Sequence, residues 1–351
     1  MSTSLRVGLL GAAAIAPSAL IQPARQVPRV TVTAVAARDR TRAEKFARKH
    51  GVPVVHGSYD ELLADPQVDA VYVPLPNGLH AEWTLKALGA GKHVLCEKPF
   101  ASHRAEAERV ADAADAAFAR SGLVVMEAFH YRHHPLAARM RQIVESGELG
   151  ELHHVEADVC FPLPRFGDIR YDYALAGGAT MDAGCYAVHV ARLLTGADPA
   201  VTAARMLTLR KDPRIDRAMS AELAFPGGVT GRLRASMWSR RVLSVRARAV
   251  GTDGELDVTN FVMPHLYHRL TVRAPREEGG RVVRRERVSR NPSSYACQLS
   301  AFAAAVLDGG PVITSARDAV VTMGVLDEIY RACGLPLRGG AQDRRDGGAQ
   351  V

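Results

Sequence analysis

The most constraining feature of this chain is a pattern repeated along roughly its first third, where short apolar runs alternate with stretches of helical periodicity. Successive βαβ units, in which helices cover a parallel sheet, have this pattern. Glycine follows two of the helical stretches and predicts where they stop. The predicted strands are Leu5 to Leu10, Val30 to Ala36, Ala70 to Val73, His93 to Leu95 and Leu123 to Glu127, and the predicted helices include Thr41 to His50 and Ala81 to Ala90.

The pattern changes after about residue 150. Apolar residues then recur at every second position, as in Ala221 to Phe225 and Arg232 to Met237, which is typical of half-buried antiparallel strands. Two helical patterns, Ser294 to Leu307 and Ala316 to Cys333, are expected to cover one face of that sheet. A length of 351 residues suits about two domains.

The predicted architecture is therefore α/β plus α+β. A doubly wound parallel sheet of the Rossmann type is predicted for residues 1–127. An open, mainly antiparallel sheet covered by helices is predicted for 128–338. The polar, glycine-rich residues 339–351 are expected to be disordered.

Composition excludes several classes of protein. The chain has no uncharged apolar run near the ~18 residues of a membrane span and no secretory signal, so we expect neither a membrane protein nor a secreted one. Its five cysteines include no CxxC pair, which favours a reducing cytoplasm.

The net charge of +8 favours an anionic partner. Because the basic residues are dispersed and form no nucleic-acid motif, a phosphorylated small ligand is preferred over nucleic acid. Five histidines lack an acid or cysteine at ligand spacing, and no metal site is predicted; they are His130, His133, His134, His153 and His154.

A degraded dinucleotide fingerprint follows the first predicted strand. In the G-x-G-x-x-G/A pattern, the first glycine makes a tight turn, the second position lets the backbone approach pyrophosphate, and the third packs the helix on the strand. Here these positions are Gly11, Ala13 and Ala16. An alanine-rich turn that merely packs a helix closely is the alternative.

Arginine stands where enzymes that use NAD carry an acid for the ribose hydroxyls. The second predicted strand ends at Ala37-Arg38-Asp39, and Arg42 follows one turn later. A guanidinium here pairs with a 2′-phosphate, so NADP is favoured, with NAD still possible. The alternative is a solvated helix start with Asp39 as its N-cap.

Two further segments carry candidate chemistry. Glu97-Lys98-Pro99 follows a buried strand at its carboxyl end, the edge at which open α/β sheets bind ligands. In Gly177 to His189, a glycine-rich turn enters a predicted helix on which Asp182, Tyr186 and His189 share one stripe. A structural hydrogen-bond set is the alternative for this stripe, and a surface lysine is the alternative for Lys98.

These segments, with Leu75 to Ala81 and Gly91 to Pro99, resemble the family of glucose–fructose oxidoreductase, inositol dehydrogenase and dihydrodiol dehydrogenase (Gfo/Idh/MocA). The resemblance covers nearly the whole chain and implies a nicotinamide-dependent oxidoreductase acting on CH–OH groups. It implies that residues 1–127 bind NAD(P) and that residues 128–338 serve substrate binding and dimerisation. Lys98 matches the family's EKP lysine and Asp182 its helix aspartate. Tyr186 stands where inositol dehydrogenases carry a catalytic histidine, which implies a phenol as the proton donor.

A hydride transfer to or from a carbon that bears oxygen requires a proton to move at that oxygen, and a tyrosine with a pKa of about 10 is a slow base. A nearby ammonium stabilises phenolate, which is the role we predict for Lys98. The catalytic set is Lys98, Tyr186 and Asp182. Arg170 and His189 join these three as substrate-binding residues, although Arg170 also suits a surface salt bridge.

The resemblance implies contacts of Asn77 and His80 with the nicotinamide end; the alternatives are an N-cap for Asn77 and a solvated His80. The predicted cofactor-binding residues are Gly11, Ala12, Ala13, Ile15, Ala16, Arg38, Arg42, Pro74, Asn77, His80, Glu97 and Lys98.

The expected reaction is hydride transfer between NADP and a secondary alcohol or ketone of a sugar, cyclic polyol or trans-dihydrodiol. A non-catalytic redox sensor that binds NADP is the alternative. Arg232, Arg234, Arg246 and Arg248 fall on the polar phase of the predicted second sheet and give it a basic face. Members of the resembling family often bury this face, so we expect a homodimer or a dimer of dimers.

Overall fold

The computed structural model describes residues 4–275 and 281–339. Packing divides the chain into two compact units. The chain passes from one unit to the other three times, and the last of these boundaries falls inside the last helix. Unit 1 comprises residues up to His130 together with Ser293–Val320, and unit 2 comprises Tyr131–Pro292 and the residues from Val321 onward. Residues 340–351, nearly all of the predicted tail, lie outside the described residues.

Unit 1 contains a six-stranded parallel sheet in the order β3-β2-β1-β4-β5-β6. The order reverses on either side of β1, as in a doubly wound sheet, so this part of the predicted fold is confirmed. The strands are β1 Leu5–Leu10, β2 Val30–Ala36, β3 Val54–His56, β4 Ala70–Val73, β5 His93–Cys96 and β6 Val125–Glu127.

The helix after β2 begins and ends where local chemistry predicts. Asp39 caps the helix after β2 by accepting from the Arg42 N–H, and Gly51 ends it with a φ of 73°. The α-helices that precede β6 in unit 1 are α1 Gln22–Ala24, which continues the π-helical turn Pro17–Ile21, α2 Arg40–His50, α3 Tyr59–Ala64, α4 His80–Gly89 and α5 Arg104–Ser121.

Unit 2 contains an eight-stranded sheet in the order β14-β13-β12-β11-β7-β10-β9-β8. The pair β7 and β10 is parallel and its other neighbouring pairs are antiparallel, which confirms the predicted mainly antiparallel sheet. The strands are β7 Leu152–Cys160, β8 Ala200–Thr208, β9 Asp216–Ala224, β10 Thr230–Ser236, β11 Ser244–Gly251, β12 Glu255–Thr259, β13 Arg269–Pro275 and β14 Arg281–Glu286.

The remaining helices are α6 Pro135–Glu145, α7 Cys185–Thr195, α8 Ser294–Asp308 and α9 Ala316–Ala332. Helix α7 packs on β7 and β10 and covers the sheet of unit 2. The expectation that α8 also covers that sheet was wrong, because α8 belongs to unit 1 and packs against β1 and α1. Its Leu299 and Phe302 side chains are fully buried.

The arginines predicted on one face of the second sheet do share that face, but it is not simply basic. Strand register places acidic residues between them: Glu156 lies opposite both Arg232 and Arg248, and Asp158 lies opposite both Arg234 and Arg246. Arg232 donates to Glu156 over 2.7 Å, and Arg246 pairs with Asp257. The face is therefore a ladder of alternating charges.

Helix α6 begins with a buried histidine that predicts an acid sensitivity. The His134 Nδ1 accepts from the Leu136 N–H over 3.1 Å, and burial lowers the pKa of His134 from 6.5 to about 4. Between these values the unfolded chain binds a proton that the folded chain excludes, so stability falls as pH drops through this window.

His134→Asn keeps an N-cap acceptor and removes the titration. We expect the dependence of the unfolding free energy on pH to become shallower by up to ~1.4 kcal/mol per pH unit between pH 6.5 and 4. Urea denaturation at several pH values measures this, with the exposed His153→Asn as the control. Equal slopes in the two variants would contradict the assignment.

Candidate active site

The turn after β1 brings the fingerprint residues to the carboxyl edge of the parallel sheet. Gly11 has a φ of 98°, and a Cβ there would lie 3.1 Å from the Leu75 side chain, so glycine is required. Ala16 is fully buried and packs closely, while Ala13 is half-buried and Ile15 exposed. This arrangement fits a turn whose backbone faces a diphosphate at the start of a helix.

The predicted arginines stand beside that turn. Arg42 Nη2 donates to the carbonyl oxygen of Ala12 over 2.9 Å, which joins the start of α2 to the fingerprint. Arg38 and Arg42 are exposed. Asp39 is also the N-cap of α2, so the capping alternative holds, and the two exposed guanidinium groups remain available for an anion.

Tyr59 also belongs to this region, although no sequence motif indicated it. The Tyr59 hydroxyl lies 3.6 Å from the position that a Cβ on Gly11 would take. Burial raises the pKa of Tyr59, and the neighbouring Arg38 and Arg42 oppose that rise. A neutral phenol here is a hydrogen-bond donor next to the fingerprint turn.

The loops after β4 and β5 are tied together by His80. Its Nδ1 lies 2.8 Å from the Pro99 carbonyl oxygen and its Nε2 lies 2.7 Å from that of Leu75. Burial lowers the pKa of His80, and the two carbonyl oxygens oppose this. The alternative of a solvated His80 is therefore excluded. Asn77 begins a short 3₁₀ helix that leads into α4.

Lys98 is anchored by its neighbours in the same loop. Glu97 accepts from the Tyr72 hydroxyl over 2.6 Å and from the Lys98 N–H over 3.3 Å. Pro74 is buried at the end of β4, while Glu97 and Lys98 are half-buried. The backbone of this segment is thus fixed by side chains from β4 and its own carboxylate.

In unit 2, the predicted stripe is carried partly by a π-helical turn. Thr180–Gly184 form this turn and α7 continues from Cys185. Tyr186 is 8% exposed and His189 is 4% exposed, whereas Asp182 is half-buried. A π-turn at the start of a helix is often found at a functional site.

Tyr131 joins these residues and was missed by the sequence analysis. Its hydroxyl lies 2.6 Å from His189 Nδ1, and its ring centroid lies 6.0 Å from that of Tyr186. Tyr131 is buried and also contacts the Phe261 ring edge-on at 5.2 Å. No local spacing could have indicated it, because it lies 58 residues before His189.

Arg170 lies beside Asp182. Its Nε is 3.2 Å from the Asp182 carboxylate and its Nη1 is 3.1 Å from that of Asp168. The salt-bridge alternative is therefore present in the structure, and the guanidinium side chain is still 45% exposed. An anion or hydroxyl that approaches Asp182 meets this cation.

Within residues 4–275 and 281–339, no three His, Cys, Asp or Glu side chains form a group suited to a metal ion. None of the helices in these ranges is long and apolar enough to cross a bilayer. Lys98 belongs to unit 1 and Tyr186 to unit 2.

Comparison with known proteins decides the family. Residues 5–126 match the model described as "Oxidoreductase family, NAD-binding Rossmann fold", and residues 137–257 match the GFO/IDH/MocA C-terminal domain. The chain belongs to the Gfo/Idh/MocA oxidoreductase family. The resemblance proposed from the sequence motifs is thereby confirmed.

Within this Gfo/Idh/MocA family, the chain is 39% identical to the D-xylose 1-dehydrogenase (NADP(+)) 2 of Haloferax volcanii, over 93% of this chain and 96% of the relative. It is 36% identical to the trans-1,2-dihydrobenzene-1,2-diol dehydrogenase of Sus scrofa, over 72% and 73% of the two chains. KijD10, a 3-ketoreductase from Actinomadura kijaniata solved with NADP and TDP-benzene, superimposes with a TM-score of 0.83 at 32% identity, covering 94% of this chain and 98% of that one.

Proposed function

We propose that this chain is an NADP-dependent oxidoreductase that interconverts a secondary alcohol and a ketone of a sugar, cyclic polyol or trans-dihydrodiol. Tyr186 acts as the acid/base and Lys98 assists it. The observation that carries this proposal is the surroundings of Tyr186, which lies on α7 after Asp182. Beside the Tyr186 ring, Tyr131 and His189 form a buried hydrogen bond.

The residues of unit 1 suit NADP. Gly11 has the positive φ that the tight turn of the fingerprint needs, and the exposed Arg38 and Arg42 flank this turn. A guanidinium pairs with a 2′-phosphate through charge-assisted hydrogen bonds. The named relatives that use or bind NADP(H) support this assignment. When bound, the cofactor supplies the carbon that accepts or donates hydride.

The proton chemistry then falls to this chain's side chains. In oxidation, the Tyr186 phenolate oxygen takes the proton from the substrate hydroxyl and becomes a phenol, and in reduction the phenol gives its proton to the carbonyl oxygen. The Lys98 ammonium stabilises the phenolate and lowers the barrier to that transfer. Asp182 and Arg170 orient the reacting oxygen, and Tyr131 keeps His189 in place behind Tyr186.

Tyr186→Phe removes the acid/base and keeps the ring. We expect turnover to fall by about 10²- to 10⁴-fold, because this is the usual contribution of a positioned acid or base. The assay follows NADPH absorbance with D-xylose, other aldoses, inositols and trans-dihydrodiols.

The control is Tyr267→Phe, which changes an exposed tyrosine in the same unit. NADP affinity, measured by fluorescence, should be unchanged in both variants. Full activity of Tyr186→Phe would end the assignment, and no turnover by the wild type across the whole panel would favour the redox sensor.

Arg38→Ala tests the choice of cofactor. We expect the Kd for NADP to rise by about 10- to 100-fold with little change for NAD, since a lost hydrogen bond to a charged group costs ~1.5–3 kcal/mol. Arg40→Ala is the matched control, because Arg40 is occupied by Glu44 at 3.1 Å. Fluorescence titration of each variant with NADP and with NAD measures the two Kd values. Tighter binding of NAD than of NADP by the wild type would overturn the role of Arg38.

The charge ladder of unit 2 supports a homodimer. Because its charges alternate, a second copy related by a two-fold axis can place unlike charges opposite each other. Leu207, on the same sheet and 51% exposed, lines a surface cavity of about 650 Å³ with Trp238 and Arg241. Leu207 and Trp238 are both exposed and form an apolar patch with a rim of arginines, which suits an interface core.

Leu207→Asp places an unpaired carboxylate in that interface. We expect the wild type to sediment as a dimer or a dimer of dimers and Leu207→Asp as a monomer at the same micromolar concentration. Leu266→Asp, at an exposed leucine of a loop, is the control. A monomeric wild type in sedimentation velocity would contradict the dimer.

A further inference from the structure

Unit 2 contains a fully buried ion pair outside the proposed proton chemistry. Asp216, the first residue of β9, and Arg338 are both 0% exposed, and Arg338 Nη2 lies 2.9 Å from Asp216 Oδ1. Burying two charges is costly unless further hydrogen bonds satisfy them. Those bonds show what the pair does.

Asp216 accepts from donors on two other segments. Its Oδ2 receives the Thr180 N–H at 2.6 Å and the Thr180 hydroxyl at 2.7 Å. Its Oδ1 receives the Tyr330 hydroxyl at 2.9 Å in addition to Arg338. Thr180 is the first residue of the π-helical turn that carries Asp182, so the carboxylate caps the start of that turn.

Arg338 binds the backbone of Gly177, three residues before Thr180. Its Nε donates to the Gly177 carbonyl oxygen over 2.7 Å, and its Nη1 donates to that of Pro336 over 3.2 Å. The guanidinium also lies over the rings of Tyr330 at 4.2 Å and Tyr173 at 5.0 Å. Because the Arg338 guanidinium is planar and donates to several fixed acceptors, it holds this backbone rigidly.

The backbone at Gly178, between Gly177 and Thr180, is too closely packed for a side chain. Gly178 has a φ of 134°, and a Cβ there would lie 2.2 Å from Asp216 Oδ1 and 2.9 Å from Arg338 Nη2. The Gly178 N–H donates to the Arg170 carbonyl oxygen over 2.8 Å, and its own carbonyl accepts from the Asp182 N–H over 3.0 Å. The turn Gly177–Thr180, which leads into the π-helical turn, therefore connects the buried pair to Arg170 and Asp182.

We propose that Asp216 and Arg338 are positioning residues, which clamp the turn Gly177–Thr180 and thereby fix Asp182 and Tyr186 for the reaction. This inference rests on the proposed function for its catalytic consequence. An apolar pair of similar volume would fill the same space at less cost in desolvation, but it could not fix Thr180 N–H and the Gly177 carbonyl at once.

The test compares Arg338→Met with the wild type by hydrogen exchange and by kinetics. We expect amide exchange in peptides covering 177–186 to accelerate at least ~10-fold, while peptides of the parallel sheet in unit 1 stay unchanged. With the best substrate of the sugar panel, kcat should fall at least ~10-fold at unchanged KM and unchanged NADP affinity, because the loss concerns orientation.

Two further comparisons keep the test decisive. Deletion of residues 338–351 should reproduce Arg338→Met, whereas deletion of 340–351, which keeps Arg338, should leave exchange and kcat unchanged. If Arg338→Met does not fold, Tyr330→Phe removes one donor to Asp216 without a change of charge and should accelerate exchange in 177–186 alone.

A uniform rise of exchange over the whole chain, or an unchanged kcat per folded molecule, overturns the positioning role. That failure is distinct from failure of the proposed function, which shows as full activity of Tyr186→Phe or as no turnover by the wild type. In both of those cases the exchange comparison still decides whether the pair clamps the turn.

Discussion

The site in unit 1 depends on the parallel pairing around β1. Because β1 pairs with both β2 and β4, and β4 pairs with β5, the carboxyl ends of these strands reach one edge. Each strand is followed there by a segment with chemistry of its own: Gly11 after β1, Arg38 after β2, the loop to His80 after β4 and Lys98 after β5. No single strand could assemble this set.

Polar side chains at this edge, from the buried His80 to the exposed Arg42, act as cross-links between neighbouring segments. His80 bonds to the carbonyls of two loops, Glu97 joins β4 to the backbone of Lys98, and Arg42 joins α2 to the turn at Ala12. A buried polar group left without a partner costs ~1–3 kcal/mol, so the contacts of the buried His80 also penalise any loop conformation that breaks them.

Most of the fold could be predicted from the sequence, because buried apolar residues recur with the period of a helix or a strand. β1, β2 and β4 have the predicted bounds, and each ends before a change in the sequence pattern: Gly11 follows β1, Ala37-Arg38 follows β2 and Pro74 follows β4. β3, Val54–His56, was missed because it has three residues and its valines are not fully buried. The periodicity of α8 revealed a helix but not the sheet it covers, since an apolar stripe does not identify its partner.

The candidate site was predictable in proportion to how local its chemistry is. Asp182, Tyr186 and His189 lie within eight residues of one another, so helical geometry alone groups them. Tyr131, Tyr59 and Arg338 reach their partners only through tertiary packing, and a single sequence contains no record of that. For the same reason the arginine face was foreseen, while its acidic partners were not, because pairing Glu156 with Arg232 requires the register of two strands.

Unit 2 fixes its proposed catalytic residues by a different device from unit 1. In unit 1, loops are cross-linked by polar side chains of neighbouring segments, whereas Tyr186 lies on a helix whose first turn is clamped from outside by charge. A helix transmits a displacement of its start along its axis, because its backbone hydrogen bonds make it stiff. Tyr186 lies about two turns after Gly178, so the position of this turn determines the position of the phenol. A buried ion pair is well suited to hold the turn, because its geometry is specified by several directional bonds at once.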